Sequence, residues 1–152
     1  MKYSSGVLMY RFDKEVMEIL LVHPGGPYWI KKDNGAWSIP KGEFIPVEES
    51  ADRAAKREFE EETGFAIQKD IRYIGRIKSK QKIIYVWVVE DSFDASDIKS
   101  NTFSIEWPPK SGKQKEFVEI DRAEWFTVEE AEEKMHKSQV PILDEVKNYR
   151  RK

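Results

Sequence analysis

Four glutamates fall within five positions, Glu58, Glu60, Glu61 and Glu62, in the run Arg57-Glu-Phe-Glu-Glu-Glu-Thr-Gly64. Residues three and four apart on a helix share a face, so a helical reading stacks Glu58 one turn before both Glu61 and Glu62. Like charges at that spacing repel and weaken the helix. A divalent cation would turn the repulsion into attraction, because hard ions such as Mg²⁺ take oxygen ligands, usually one or two carboxylates with substrate phosphates and water. Read as an ordinary solvated acidic face, the run would ask nothing of its surroundings. Its surroundings are specific, however. A glycine-containing loop, Trp37-Ser-Ile-Pro-Lys-Gly-Glu-Phe44, precedes it, and Thr63-Gly64 offers a helix stop in which glycine takes the left-handed C′ conformation.

Gly42, Arg57, Glu58, Phe59, Glu61, Glu62, Gly64 and Phe65 match a glycine, a spaced glutamate, then Arg-Glu-apolar-x-Glu-Glu-x-Gly-apolar. In this the chain resembles the Nudix hydrolase family, including its MutT-like and diadenosine-polyphosphate-cleaving members. The resemblance implies an α/β fold, a Nudix-type α/β/α sandwich with a mixed central sheet and a loop–helix–loop catalytic motif. It implies hydrolysis of a phosphoanhydride in a nucleotide, with Mg²⁺ as cofactor and Mn²⁺ as a substitute. On the family pattern Glu58, Glu61 and Glu62 hold the metal with the backbone carbonyl of Gly42, and Arg57 pins one carboxylate. The base that activates water is either Glu58 or a glutamate from a later loop, Glu119 first and Glu116 second. One feature departs from the pattern: the loop from Gly42 to Glu49 is one residue longer than usual. Taking Glu48 as the spaced glutamate restores the loop but shifts the helix by one position. Helix register is stiffer than loop length, so Glu49 is favoured, with the insertion in Glu43–Glu48.

The spacing of Trp37–Glu43 and of a late Glu119 before Trp125 is most similar to family members that cleave diadenosine polyphosphates or nucleoside triphosphates. The proline that ADP-ribose pyrophosphatases carry soon after the motif has no counterpart, since none occurs between Pro46 and Pro108. A diadenosine polyphosphate is thus the first expectation, and a house-cleaning triphosphate pyrophosphohydrolase the second. A non-catalytic nucleotide sensor is the alternative of a different class, although such proteins usually lose motif carboxylates and all are present here.

Substrate contacts must come from outside the acidic run. Lys41 precedes Gly42, and Lys110, Lys113 and Lys115 bracket the Pro108–Gly112 loop; each could meet a phosphate, or simply be solvated. Tyr28, Trp29, Trp87 and Trp107 could stack on a base, with Trp107 foremost because it sits beside two prolines, although strand aromatics more often pack in cores. His23 could line the pocket; His136, on a C-terminal amphipathic helix, reads as surface.

With 152 residues, 39% hydrophobic and 36% charged, the chain reads as one domain spanning residues 1–152. A net charge of −2 asks for neither nucleic acid nor an acidic membrane, and the absence of cysteine removes disulfides, thiol nucleophiles and cysteine zinc sites. The first residues are too polar for a membrane span or signal peptide, so a cytoplasmic protein is expected, a monomer or homodimer whose partner is a nucleoside polyphosphate.

The positioning elements follow from periodicity. Tyr3–Phe12 and Val16–His23 read as a hairpin, and Trp37–Pro40 as a short strand. A helix runs from about Ser50 to Thr63, its Ala51, Ala54, Ala55 and Phe59 suited to close packing on a sheet. Two strands cover Ile71–Glu90, the second with an apolar run that suggests burial on both faces. Ile98–Trp107 could add a strand, and Arg122–Phe126 reads as the last. Thr127-x-x-Glu130 is a capping box opening a helix through about Lys137, and Pro141 starts a final helix over Ile142–Arg150.

Overall fold

The computed structural model describes residues 1–149. Strands β1 (Lys2–Asp13) and β2 (Val16–Pro24) form an antiparallel hairpin, in register from Tyr10–Ile19 to Asp13–Val16. Lys14 and Glu15 both take positive φ, 48° and 73°, giving a two-residue turn whose twist suits a hairpin. Beyond Tyr10 and Ile19 the two strands part, and the segment after the Pro-Gly loop fills the gap. Ser38 bridges Val22 there, and β3 (Lys41–Glu43) pairs antiparallel with Ser4–Gly6. This parting of neighbouring strands is what opens a cleft at one end of the sheet.

Helix α1 (Ala51–Thr63) follows, then the hairpin of β4 (Arg72–Lys78) and β5 (Lys82–Glu90), with β5 parallel to β1. A two-stranded arm, β6 (Thr102–Glu106) with β7 (Gln114–Val118), leads into β8 (Ile120–Thr127), which pairs with β2. The mixed sheet therefore runs β4-β5-β1-β2-β8, with β3 on β1. Period-two alternation sends side chains to two cores. On one face Val7, Met9, Leu20 and Val89 meet Ala55 and Phe59 of α1. On the other, Leu8, Ile19, Leu21, Val86 and Val88 meet Trp37, Ala131, Met135, Ile142 and Leu143. Helical elements thus cover both faces, the α/β/α arrangement expected, and β5 contributes to both cores.

Several boundaries differ from the sequence reading. The ladder after the loop is Lys41–Glu43, whereas Trp37 and Ser38 make only single bridges, to Met135 and Val22. The capping-box helix, α2 (Val128–Lys134), has both reciprocal bonds between Thr127 and Glu130 but stops before Met135, whose backbone turns extended to meet Trp37. The final element is a 3₁₀ helix, Val140–Glu145, and the expected end at Arg150 lies outside the described residues. The extra strand is Thr102–Glu106, and its partner Gln114–Val118 was not anticipated because Gln-Lys-Glu-Phe-Val lacks a clear alternation. Among the described residues no helix is long and apolar enough to cross a membrane.

Candidate active site

Helix α1 has one packed face and one charged face. Ala54, Ala55, Phe59 and Thr63 are buried, and Gly64 closes the helix at φ 80° with its N–H bonded to the Glu60 carbonyl. Glu58, Glu61 and Glu62 are only partly covered, while Glu60 is exposed. Arg57 grips three carboxylates at once. Its Nε and Nη2 donate to Glu49 Oε2 and Oε1, each at 2.8 Å, a bidentate pair. Its Nη1 donates to Glu58 Oε1 at 2.7 Å and to Glu61 Oε1 at 3.1 Å. Glu49, rather than exposed Glu48, is thus the glutamate joined to the helix arginine. The longer loop is absorbed in a turn in which Glu48 and Glu49 both donate their N–H to the Ile45 carbonyl. Hydrogen bonding to Arg57 holds the Glu49 carboxyl below the usual carboxylate range.

The remaining carboxylates are pushed the other way. Burial raises Glu62 to about 8, against the backbone N–H of Lys41 that donates to its Oε1 at 3.1 Å, with Glu58 and Glu119 adding repulsion. Glu58 is raised by burial, opposed by Arg57, and Glu119 is raised by burial and by Glu61. Gly42 lies directly against Glu58: a Cβ there would sit 1.9 Å from Oε2. Only glycine lets the carboxylate approach the β3 backbone so closely.

Among the described residues, no three carboxylates converge as they stand to a spacing that would hold an ion. The donor set nevertheless fits a hard divalent cation. Glu58, Glu61, Glu62 and Glu119 repel one another while sharing mainly Arg57 and Lys41 as counter-charges, and the glycine cradle leaves the backbone beside Glu58 open.

Glu62 and Glu119 open onto a cavity of about 600 Å³ at the parted end of the sheet, a volume suited to a small molecule. Its walls include Val22, Ala36, Ile77, Ile84 and Ile120, with Trp29 on one side and Lys78, Ser79 and Lys82 on the other. Lys41 is close to both Glu62 and Lys82; burial lowers its pKa first, the neighbouring Lys82 ammonium lowers it further, and Glu62 and Glu43 oppose the shift. Buried Gln139 fixes the wall, accepting from Ile39 N–H at 3.1 Å and donating to Ser38 Oγ at 3.0 Å.

The other sequence candidates divide clearly. Glu119 lines the cavity, whereas Glu116 is an exposed residue of β7. Trp107 and Lys113 sit at the tip of the β6–β7 arm and do not line the cavity; Trp107 instead meets Tyr28 edge-on at 5.3 Å, beside Trp29. Lys110 and Lys115 are likewise on the arm, and Trp87 packs in the core against α1 with its Nε1 donating to Ser5 Oγ at 3.0 Å. His23 is fully buried, outside the cavity lining, with Nδ1 2.8 Å from Asp121 Oδ1 and Nε2 2.6 Å from the Lys32 carbonyl. It staples the loop that carries Trp29. His136 is exposed as anticipated but follows α2 and lines the cavity. Lys82 and Gln139 escaped sequence reasoning because nothing local distinguishes them; the fold brings them in from 41 and 98 residues beyond Lys41.

The match to known proteins is consistent with this geometry. The NUDIX domain family model matches residues 2–146. Among solved structures, the chain is similar to the NUDIX domain of Shewanella oneidensis NrtR complexed with ADP ribose, at TM-score 0.66 and 12% identity over 95% of this chain and 85% of that one. It is similar to a C. elegans Ap4A hydrolase at TM-score 0.65 and 18% identity, covering 97% and 96%. A MutT protein from Methanosarcina mazei Go1 shares the fold at TM-score 0.58 and 19% identity, covering 94% and 90%. No curated protein matches the sequence significantly. The chain belongs to the NUDIX domain family and is a hydrolase of the class that acts on pyrophosphate bonds.

Proposed function

We propose that the protein is a Mg²⁺-dependent pyrophosphohydrolase whose substrate is a diadenosine polyphosphate. The observation that carries this reading is one cavity lined together by Glu62, Glu119, Lys41, Lys82 and Trp29. Two carboxylates, two ammonium groups and an indole ring thus surround a single volume, which supports assigning them to metal, phosphate and base. Glu58, Glu61 and Glu62, with the Gly42 carbonyl, would hold the ion, which when bound neutralises phosphate charge and acidifies water. Arg57 fixes the carboxylates of Glu58 and Glu61 so that neither must reorganise as charge develops. Lys41 meets phosphate oxygens, and Glu119 or Glu58 accepts the proton of the attacking water. Trp29 stacks on the base, with Tyr28 and Trp107 supporting its loop.

A second reading has a specific observation behind it. Among the described residues, Trp29 supplies the one indole, phenol or phenyl ring lining a cavity of about 600 Å³, which suits one nucleotide more readily than two. A triphosphate pyrophosphohydrolase would use the same residues and release pyrophosphate. Product chromatography with Mg²⁺ separates these readings, using diadenosine tetraphosphate, the dNTPs, an oxidised dGTP, ADP-ribose and a nucleotide sugar, beside Glu61→Gln. ATP and AMP from the dinucleotide, lost in the variant, support the first reading. Pyrophosphate and a monophosphate from a triphosphate establish the second. No cleavage with any divalent ion overturns both in favour of a nucleotide sensor.

A further inference from the structure

The hairpin of β4 and β5 concentrates positive charge. From Ile71 to Val89 stand Arg72, Arg76, Lys78, Lys80 and Lys82 with no acidic residue among them, in a protein of net charge −2. Arg72 is taken up by the ring and hydroxyl of Tyr149, and Lys82 borders the cavity. Among the described residues, no carboxylate lies within ion-pair distance of Arg76, Lys78 or Lys80. These three lie along β4, an edge of the sheet, and its turn. The register pairs Tyr73 with Trp87, Arg76 with Tyr85 and Lys78 with Ile83, and paired residues share a face. Tyr73 and Arg76 are three apart and would face opposite ways in a regular strand; the bulge between Tyr73 and Gly75 brings them to the same side. On that side Trp87 packs toward α1, while Ile74 and Ile77 go to the opposite core. It carries a row of rings. Tyr3 lies parallel to Tyr85 at 6.4 Å, Tyr85 is 6.4 Å from Tyr73, and Tyr73, 46% exposed, meets Trp87 edge-on at 5.2 Å.

Charges on an edge strand often serve only to block pairing with another chain. Blocking requires no tyrosines beside them, and an exposed Tyr73 works against it. Cations along an edge with aromatic rings next to them suit an unpaired polynucleotide, whose phosphates meet the cations while its bases stack on the rings. We infer that the β4 edge and the tyrosine row form a binding surface for single-stranded nucleic acid, the backbone following Arg76, Lys78 and Lys80 and the bases lying over Tyr73 and Tyr85. Acidic residues bound this surface on two sides. Glu43 and Glu48 flank the segment that begins at Phe44, whose ring meets Tyr85 at 6.1 Å, and Asp70 and Glu90 stand at the open end of the hairpin. A single strand can follow the edge between them, whereas a flat anionic bilayer would press on both signs of charge. A duplex keeps its bases stacked on one another and leaves the rings without partners. The surface is independent of the proposed hydrolysis, because Tyr73, Arg76 and Lys80 take no part in lining the cavity.

The test separates stacking from charge. Labelled single strands of about twelve nucleotides, RNA and DNA of one mixed sequence, are titrated with the protein in chelator and followed by fluorescence anisotropy. The annealed duplex and vesicles of phosphatidylserine with phosphatidylcholine are measured alongside. Three phosphate contacts give a slope of log K against log salt of about −2 for a single strand. Substituting Arg76→Gln and Lys80→Gln together should make that slope shallower by about 1.4. Tyr73→Leu should weaken single-strand binding about tenfold with the slope unchanged, and Tyr73→Phe should keep wild-type affinity. Thermal melts establish that each variant folds, and if Tyr73→Leu does not, the slope of the double variant decides alone. Binding of either single strand with these responses supports the inference. It is overturned if wild type binds neither strand, if it binds the duplex or the vesicles as tightly, or if the slope is unchanged in the double variant. A folded Tyr73→Leu with wild-type affinity also overturns it and leaves the charges as a block on the sheet edge. Turnover of the best nucleotide substrate should be the same in every variant. If wild type cleaves no nucleotide while the binding behaves as described, the hydrolase reading fails and this surface stands.

Discussion

Replacing Gly42 by alanine should nearly abolish turnover while leaving the fold intact. The new Cβ would stand 1.9 Å from Glu58 Oε2, 2.1 Å from Cδ and 2.7 Å from Oε1. Ordinary contact begins near 3.4 Å, so the nearest oxygen must retreat by about 1.5 Å. That movement breaks the 2.7 Å bond from Arg57 and takes Glu58 away from the Gly42 carbonyl beside which it would hold metal. Misplacing a reacting constellation by about 1 Å costs on the order of 10²-fold in rate, or about 2.7 kcal/mol at the barrier. Stability should respond differently. Gly42 pairs with Ser5 in an ordinary strand conformation, so alanine brings no backbone strain, and the clash is with the far end of a flexible side chain. A change within about 1 kcal/mol is expected. The assay is kcat on the best substrate with saturating Mg²⁺, beside a denaturant melt of the same preparation. A variant turning over within threefold of wild type refutes the cradle. So would a loss of activity accompanied by an equally large loss of stability.

Other expectations follow from the same geometry. Glu49→Gln should lower kcat about tenfold by freeing Arg57 from its bidentate partner, whereas Glu48→Gln should leave kcat unchanged; equal effects in steady-state assays would move the register of the motif. The metal-free protein should lose stability as pH rises from about 5 to about 8. The unfolded chain releases the Glu62 proton near the ordinary value of 4.5, while the folded chain keeps it until about 8. The folded state therefore binds more protons across that window, and stability falls by up to about 1.4 kcal/mol per pH unit. Urea melts in chelator should show this slope in wild type and a flatter one in Glu62→Gln; an identical slope in both would remove Glu62 as its source. His23→Leu should destabilise by about 2 kcal/mol, because the Asp121 carboxylate and the Lys32 carbonyl lose their partner. Its kcat per folded molecule should change little, and a selective loss of kcat without loss of stability would place His23 in the chemistry after all.

Which features were legible follows from their range along the chain. The helix register of Arg57, Glu58, Glu61 and Glu62 is a local property, so spacing placed these side chains correctly relative to one another. The choice of Glu49 over Glu48 as the spaced glutamate was also accessible, because a helix holds its register more stiffly than a loop holds its length, whereas its bidentate pairing with Arg57 was not read. The cavity was not. Trp29 and Trp107 are comparable as exposed loop aromatics in sequence, and only the position of the arm puts the second against Tyr28 rather than over the carboxylates. Lys113 looked suitable because it flanks a Pro-Gly loop, whereas Lys82 sits at an unremarkable strand start. Its place on the cavity wall comes from a parallel pairing with β1, a contact made across about eighty residues that no local pattern encodes. The final 3₁₀ helix escaped for a related reason: Ile142, Leu143 and Val146 are spaced for either helix type, and packing on the sheet decided between them.

The long-range part of the site is joined mainly through backbone, which bears on how Glu119 can work with the helix at all. The last carbonyls of a helix lack internal partners. Here the segment just before the arm supplies them: Asn101 N–H donates to the Glu61 carbonyl and Lys99 N–H to that of Thr63, both at 2.9 Å. The same segment turns and accepts from Glu119, whose N–H reaches the Asn101 carbonyl at 2.9 Å, while Gly25 N–H donates to the Glu119 carbonyl at 2.7 Å. Main-chain bonds thus run from α1 through Lys99 and Asn101 to Glu119 and on to the loop bearing Trp29. A Cβ at Gly25 would meet the Val118 carbonyl at 2.1 Å, so that last junction admits only glycine without moving backbone. Glu119 is consequently placed by the termination of the same helix that carries Glu58, Glu61 and Glu62. The side chain proposed to complete the chemistry and the ring proposed to hold the base are therefore coupled to the acidic helix through main-chain bonds, on a path where Gly25 leaves no room for a side chain.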